Sequence, residues 1–320
     1  MNILVTAIGA FAADIVIKTL RAKHHHVIGC DILPKAWIAD AYNVDHFVQA
    51  PRLTEREAYI NFIKTVCEQY AVQYIMPLTD PEIDVICEMK DELQARGVCA
   101  CVSDLAVTRL CRDKYMLSKY LEQFNLCPVI PARLLADADQ ASLGFPLLAK
   151  QRYGRSSQGM MVIKSQIGYG FISDLAKETE YIIQPYIAGN VINVDLVRSP
   201  DDKVFCVARR DLLRHPSGAG TTVEIIKNDW LTGTCAKIAN LLGIIGAANF
   251  EFIESPEQMH FMEINPRFSG GIEFSHMAGY DVVSNHLRCF TGENIETDVN
   301  VKKMIIARKY EEYVTEVLEV

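Results

Sequence analysis

Glu263 and Asn265 stand two residues apart in the stretch Phe261-Met262-Glu263-Ile264-Asn265-Pro266-Arg267-Phe268-Ser269-Gly270-Gly271. On a β-strand that spacing projects both side chains from one face. A carboxylate and an amide oxygen are hard ligands suited to a divalent cation such as Mg²⁺. Pro266 cannot donate to a ladder, so the strand is expected to end there and release Arg267 beside the cation. A guanidinium is well shaped for bidentate phosphate binding. Metal ligands, a phosphate-reading arginine and a glycine turn within nine residues point to phosphoryl chemistry.

Glu251 lies just upstream. Ala247–Glu254 and Met259–Asn265 read as a hairpin joined through Ser255-Pro256-Glu257-Gln258. Opposed residues of an antiparallel pair share a face. Glu251 joins Glu263 and Asn265 on that face only if the loop within Ser255–Met259 holds an odd number of residues. The metal reading therefore predicts an odd loop. Phe250, Phe252, Phe261 and Ile264 imply a largely buried hairpin, where two carboxylates repel unless a cation joins them.

The elements that must position these groups begin with an α/β region. Residues 1–110 alternate strands (Asn2–Ala7, His26–Asp31, Tyr74–Pro77, Val98–Val102) with helical segments (Ile15–Lys23, Glu55–Tyr70, Glu82–Arg96). This alternation implies a mostly parallel, Rossmann-like sheet. The turn Thr6-Ala7-Ile8-Gly9-Ala10-Phe11 has one glycine where a dinucleotide fingerprint needs three, so nicotinamide binding is weakly supported. Residues 111–187 read as a second unit, with a helix over Cys111–Phe124 carrying Lys114. In it the strand Phe145–Lys150 ends on a charge, a polar Gly/Ser loop covers Arg152–Gly159, and a strand follows at Met160–Lys164. Residues 188–320 are richer in strands (α+β), with Val191–Arg198, Lys203–Arg210, a helix over Trp230–Leu242 and the hairpin.

Composition narrows the class. Half the 320 residues are hydrophobic and 22% are charged, as in ordinary globular proteins. A formal net charge of −8 argues against nucleic acid as a partner. Ten cysteines lack any C-x-x-C pair, which suits free thiols in a reducing cytoplasm. No apolar run approaches the ~20 residues that span a bilayer, so no membrane partner is expected.

The motif Glu263–Gly271 with Glu251 upstream resembles the ATP-grasp superfamily. The similarity is to the branch near the carbamoyl-phosphate synthetase large subunit and stand-alone carboxylate–amine ligases, and it runs from the N-terminal sheet to about Gly292. It implies an ATP-grasp fold: a pre-ATP-grasp domain (1–110), a lid subdomain (111–187) and a C-terminal subdomain (188–320). It also implies that Glu251, Glu263 and Asn265 hold Mg²⁺, two ions in the family, with Mn²⁺ as an alternative. Lys114 and Lys150 resemble the two ATP-contacting lysines. The loop with Ser156, Ser157 and Gly159 resembles the phosphate lid, and Gln184-Pro185-Tyr186-Ile187 the adenine hinge. Arg267 would contact phosphates. The chain departs from the pattern at Val191, where a ribose-binding Glu is common, and at Pro185, where an acid is common.

The implied activity is ATP-dependent ligation: a carboxylate is activated as an acyl phosphate, and an amine or similar nucleophile displaces the phosphate. In this reading Arg267 holds the transferring phosphoryl and Arg210 reaches the acyl phosphate or substrate carboxylate. Small-molecule acids and amines are then the partners, in a cytoplasmic enzyme with room for homo-oligomerisation. The alternative is an ATP-grasp-like regulatory protein that binds a nucleotide or metabolite without ligating.

Overall fold

The computed structural model describes residues 1–137, 144–155, 158–175, 180–216 and 218–318. Ser156 and Ser157 of the expected lid lie outside the described residues. Five strands come first: β1 (Asn2–Thr6), β2 (His26–Asp31), β3 (His46–Gln49), β4 (Tyr74–Pro77) and β5 (Cys99–Ala100). They pair in parallel in the order β3-β2-β1-β4-β5. Ile3, Leu4, Val5, Val27 and Ile28 are fully buried, as expected for strands covered on both faces by crossover helices. The order reverses between β1 and β4, and in such sheets the crevice beyond the strand ends at that point receives ligands.

A smaller antiparallel sheet follows, made of β6 (Arg133–Leu134), β7 (Leu147–Gln151), β8 (Met161–Ile163) and β9 (Tyr181–Pro185) in the order β6-β9-β7-β8. The third sheet holds β10 (Asn190–Arg198), β11 (Val204–Arg214), β12 (Gly220–Ile226), β13 (Gly246–Glu254), β14 (Met259–Asn265) and β15 (Ile305–Ala307). It is antiparallel in the order β14-β13-β10-β11-β12-β15. On one face Ile192, Val194, Leu196, Ala208, Phe250 and Phe252 pack beneath the helix Asp229–Leu242. The register places Asn193 beside both Arg209 and Glu251 on the other face.

The helix expected over Cys111–Phe124 is instead two, Leu105–Arg112 and Lys114–Glu122. Asp113 separates them because its carboxylate accepts from the Tyr115 and Met116 amides, at 3.1 and 3.0 Å, and so caps a new helix. Likewise the segment Glu82–Arg96 divides into Asp80–Glu88 and Lys90–Ala95. β12 and the helix Gln166–Leu175 add to the elements expected from the sequence. After residue 300, the described chain contains one short strand, β15.

Candidate active site

The β13–β14 turn holds four residues, because Glu254 pairs with Met259, so the expected odd loop is not what forms. The extra residue sits in the strand instead. Phe252 pairs with Phe261, but Glu251 pairs with Glu263, so Met262 is bulged out. The bulge shifts the register by one and places Glu251 opposite Glu263 and Asn249 opposite Asn265. Phe252 and Phe261 pack edge to face at 5.6 Å on the core side, which anchors the pairing before the bulge. Asn265 donates to Glu251 Oε1 at 3.4 Å and to Glu263 Oε1 at 3.3 Å.

Two lysines converge on the same carboxylate. Lys114 Nζ lies 3.4 Å from Glu263 Oε2, and Lys150 Nζ lies 3.7 Å from it. The cap at Asp113 sets Lys114 in place, and Lys114 also donates to the Gly154 carbonyl at 2.7 Å. Lys150 stands near the end of β7, buried, and its ammonium has no hydrogen-bond partner. Burial lowers its pKa, while Glu263 works against that fall. Burial would also raise the Glu263 carboxyl, but Lys114 and Lys150 outweigh it and hold the group below its ordinary range. Glu251 moves the other way, pushed up by burial and by the facing Glu263. One carboxylate is thus neutralised by lysines, while its partner has only the weaker relief of Arg214, at 3.9 Å, and Arg267, which do not offset burial and the facing charge.

These groups line a cavity of about 970 Å³. Its wall includes Lys114, Lys150, Gln184, Pro185, Tyr186, Ile187, Glu251, Glu263, Asn265 and Arg267. Gln184 is buried, and its amide oxygen has no partner although its nitrogen donates to the Ile130 carbonyl at 3.0 Å. The Tyr186 amide is taken by the Pro146 carbonyl at 3.0 Å. Val191, the departure from the family pattern noted in the sequence, also faces the cavity. Gly189 admits no side chain, since a Cβ there would come within 2.3 Å of the Glu254 carbonyl oxygen. Gly159 is not part of the wall; a Cβ there would meet the Tyr181 hydroxyl at 2.5 Å.

Arg267 lines the cavity with its fork held by Asp80, at 2.9 Å from Nε and 3.1 Å from Nη2. Burial would raise the Asp80 carboxyl, but Arg267 and Arg112 keep it below its ordinary range. Arg210 departs from expectation: it lies outside the cavity wall and forks onto Glu254 at 2.7 and 2.8 Å. Strand alternation gives the cavity to its neighbour Arg209 instead. Arg209 is buried, paired with Asp195, and donates to Ser269 Oγ at 2.9 Å. Sequence reading missed Arg209 and Asn249; the signal for both is parity with Glu251, visible once the registers of β10 with β11 and β13 are known.

Among the described residues no group of three or more His, Cys, Asp and Glu gathers as a metal site. The set here has two carboxylates and an amide. Its fit to a cation rests on two opposed, partly buried carboxylates, one of them pushed toward protonation.

Residues 177–313 match the family model described as ATP-grasp in the biosynthetic pathway with Ter operon. The chain carries an ATP-grasp domain. Residues 3–101 match the model of a PylC-like N-terminal domain. A carbamoyl phosphate synthase large chain of Clostridium perfringens is 27% identical over 168 residues, 48% of this chain and 16% of that relative's length. Among solved structures, biotin carboxylase from Campylobacter jejuni in a β,γ-ATP complex superposes with a TM-score of 0.79 at 18% identity, over 93% of this chain and 73% of that one. N5-carboxyaminoimidazole synthetase from Staphylococcus aureus, complexed with ADP, gives 0.78 at 16% identity, over 95% and 81%. The ATP-grasp fold accounts for the parallel sheet followed by antiparallel ones. No helix among the described residues is long and apolar enough to cross a membrane.

Proposed function

We propose that this ATP-grasp protein is a Mg-ATP-dependent ligase that activates a carboxylate as an acyl phosphate and couples it to an amine or similar nucleophile. One observation carries the reading: two lysines, two opposed carboxylates and Asn265 meet in a buried wall of a cavity of about 970 Å³. That volume is at the upper end of the ~300–1,000 Å³ typical of ligand sites, so a nucleotide and a second molecule have room. The three sheets support a division near residue 187, between β9 and β10, while residue 110 falls inside the helix Leu105–Arg112; the cavity draws on all three parts. Free cysteines suit a reducing cytoplasm.

Glu251, Glu263 and Asn265 would hold Mg²⁺, two ions in the family pattern. Bound there, Mg²⁺ supplies positive charge to the β- and γ-phosphates. Lys114 and Lys150 would neutralise phosphate oxygens, and the Lys150 ammonium, ion-paired with Glu263 at 3.7 Å but without a hydrogen bond, has its donors free for one. Gln184 to Ile187 would border the adenine, with the free amide oxygen of Gln184 as an acceptor for its amino group. Arg267, oriented by Asp80, would hold the transferring phosphoryl. Arg209 takes the role first expected of Arg210, facing the substrate carboxylate beside Ser269. The chain's work in this scheme is positioning and charge neutralisation, with no covalent intermediate on protein.

The test is ADP release from Mg-ATP in the presence of pooled carboxylic acids and amines. Release that requires one acid and one amine supports the ligase. Mg-ATP binding without release from any pool would leave a nucleotide-binding protein that does not ligate.

A further inference from the structure

On that reading the nucleotide occupies the wall of lysines and carboxylates, and a second wall is left for the other substrate. This wall comes from the loops that follow β1 and β2, where Phe11, Ile32 and Leu33 line the cavity. Phe11 keeps 46% of its surface exposed and Ile32 38%. Large apolar groups left open inside a cavity form a surface that an apolar ligand covers favourably.

Phe11 is held in place. The guanidinium of Arg308 lies 5.4 Å from its ring centroid and 5.1 Å from that of Phe274. The same guanidinium donates to the Gly270 carbonyl at 2.8 Å. The His215 ring stands edge-on to Phe11 at 6.3 Å. Gly270 approaches so closely that a Cβ there would touch Phe11 Cβ at 3.4 Å. Arg308 itself is fixed just after β15, with its amide bonded to the Thr221 carbonyl at 2.7 Å. The C-terminal segment therefore clamps an N-terminal aromatic ring against the glycine turn.

The acids nearby are already engaged. Asp31 accepts from the Gly9 and Leu33 amides at 2.9 and 3.0 Å. Glu82 accepts from Thr79 Oγ1 at 2.6 Å and from the Tyr59 hydroxyl at 3.0 Å, and burial pushes its carboxyl up. A cationic side group entering here would meet carboxylates committed to internal donors.

We propose that this wall receives the apolar body of the acid or amine substrate, with Phe11 setting specificity and Arg308 positioning it. Amino acids offer both reacting groups, so ADP release is compared for leucine and phenylalanine against aspartate and lysine. A hydrophobic pocket discriminates by roughly 10–200-fold per methylene, so kcat/KM for the apolar pair should lead by about tenfold or more. Phe11→Ala should erase most of that lead while leaving the KM for Mg-ATP unchanged. Arg308→Ala should weaken the same preference and speed hydrogen exchange at residues 9–12 and 269–272 together. Arg308→Lys, which keeps one donor and loses the planar face, should restore part of both. Preference for aspartate or lysine, or an unchanged preference in Phe11→Ala, would overturn the proposal. If no amino acid releases ADP, the pooled-substrate assay decides the ligase reading, and calorimetry in Mg-ADP decides the wall. Tighter phenylalanine than aspartate binding that is lost in Phe11→Ala upholds it; equal or absent phenylalanine binding overturns it.

Discussion

The two faces of β10, β11 and β13 share one backbone and are built on opposite principles. Ile192, Val194, Leu196, Ala208, Phe250 and Phe252 close one face under a helix with no polar side chain among them. One residue along each strand, Asn193, Asp195, Arg209, Asn249 and Glu251 fill the other, and all but Glu251 are fully buried. Burying polar and charged groups costs free energy unless each is partnered, and partnered ones seldom outdo well-packed apolar residues. The apolar face therefore holds the sheet together, and the polar face has to be explained by what it binds. Asp195 and Asp211 each retain a buried oxygen without a hydrogen bond there, and the Lys150 ammonium likewise lacks one.

The contrast can be broken first on the polar face. Glu263→Gln keeps the shape and removes the charge that Lys114 and Lys150 share; ADP release should fall by roughly 10²–10³-fold or more. Thermal stability should move little, because lost lysine pairing and relieved repulsion from Glu251 oppose each other. On the apolar face the pattern inverts. Phe250→Ala should cost roughly 3–5 kcal/mol in denaturant unfolding, with activity per folded molecule retained. Between the two faces, Arg209→Lys should lower ADP release by roughly tenfold or more, since a lysine lacks the planar fork. Arg210→Lys, on a half-exposed ion pair, should change stability by less than about 1 kcal/mol and leave activity intact.

A pH-dependent effect concerns the dry end of the polar-bearing face, where His286 is buried and its Nδ1 accepts from the Ala247 amide at 2.8 Å. Burial lowers its pKa to about 3 from an ordinary 6.5. The unfolded chain therefore takes up a proton near pH 6.5 that the folded chain refuses until much lower. The contribution is whole above pH 6.5 and is lost as pH falls, at about 1.4 kcal/mol per unit. Unfolding at pH 7 and pH 5.5 should show this drop, and His286→Gln should flatten it.

Much of this geometry was legible in the sequence. The spacing of Glu263 and Asn265 fixed their common face, the βαβ alternation gave the parallel sheet, and the hairpin formed between the strands expected. The bulge at Met262 was not legible, because methionine fits a regular strand as well as a bulged one. It met the need for one extra residue in a different place, so the loop prediction failed while Glu251 still opposes Glu263. The choice between Arg209 and Arg210 was hidden for a related reason. Adjacent identical residues carry no alternation, and only the register with β10 decides which faces inward. The break at Asp113 was masked because apolar periodicity continues across it, while its capping bonds and its 2.8 Å contact with Arg152 stop the helix.

Ligand-induced thermal stabilisation tests the central claim most directly, measured for the wild-type chain and Glu263→Gln with Mg-ATP, with ATP plus EDTA, and with NAD. A ligand that binds the folded state raises its stability by about 2.7 kcal/mol at a hundredfold excess over Kd. The polar face read as a Mg-ATP wall predicts a clear shift for the wild-type chain with Mg-ATP. The shift should be much smaller with EDTA, absent with NAD, and largely lost in the variant. Equal stabilisation of both proteins by Mg-ATP, or stabilisation by NAD alone, would contradict it.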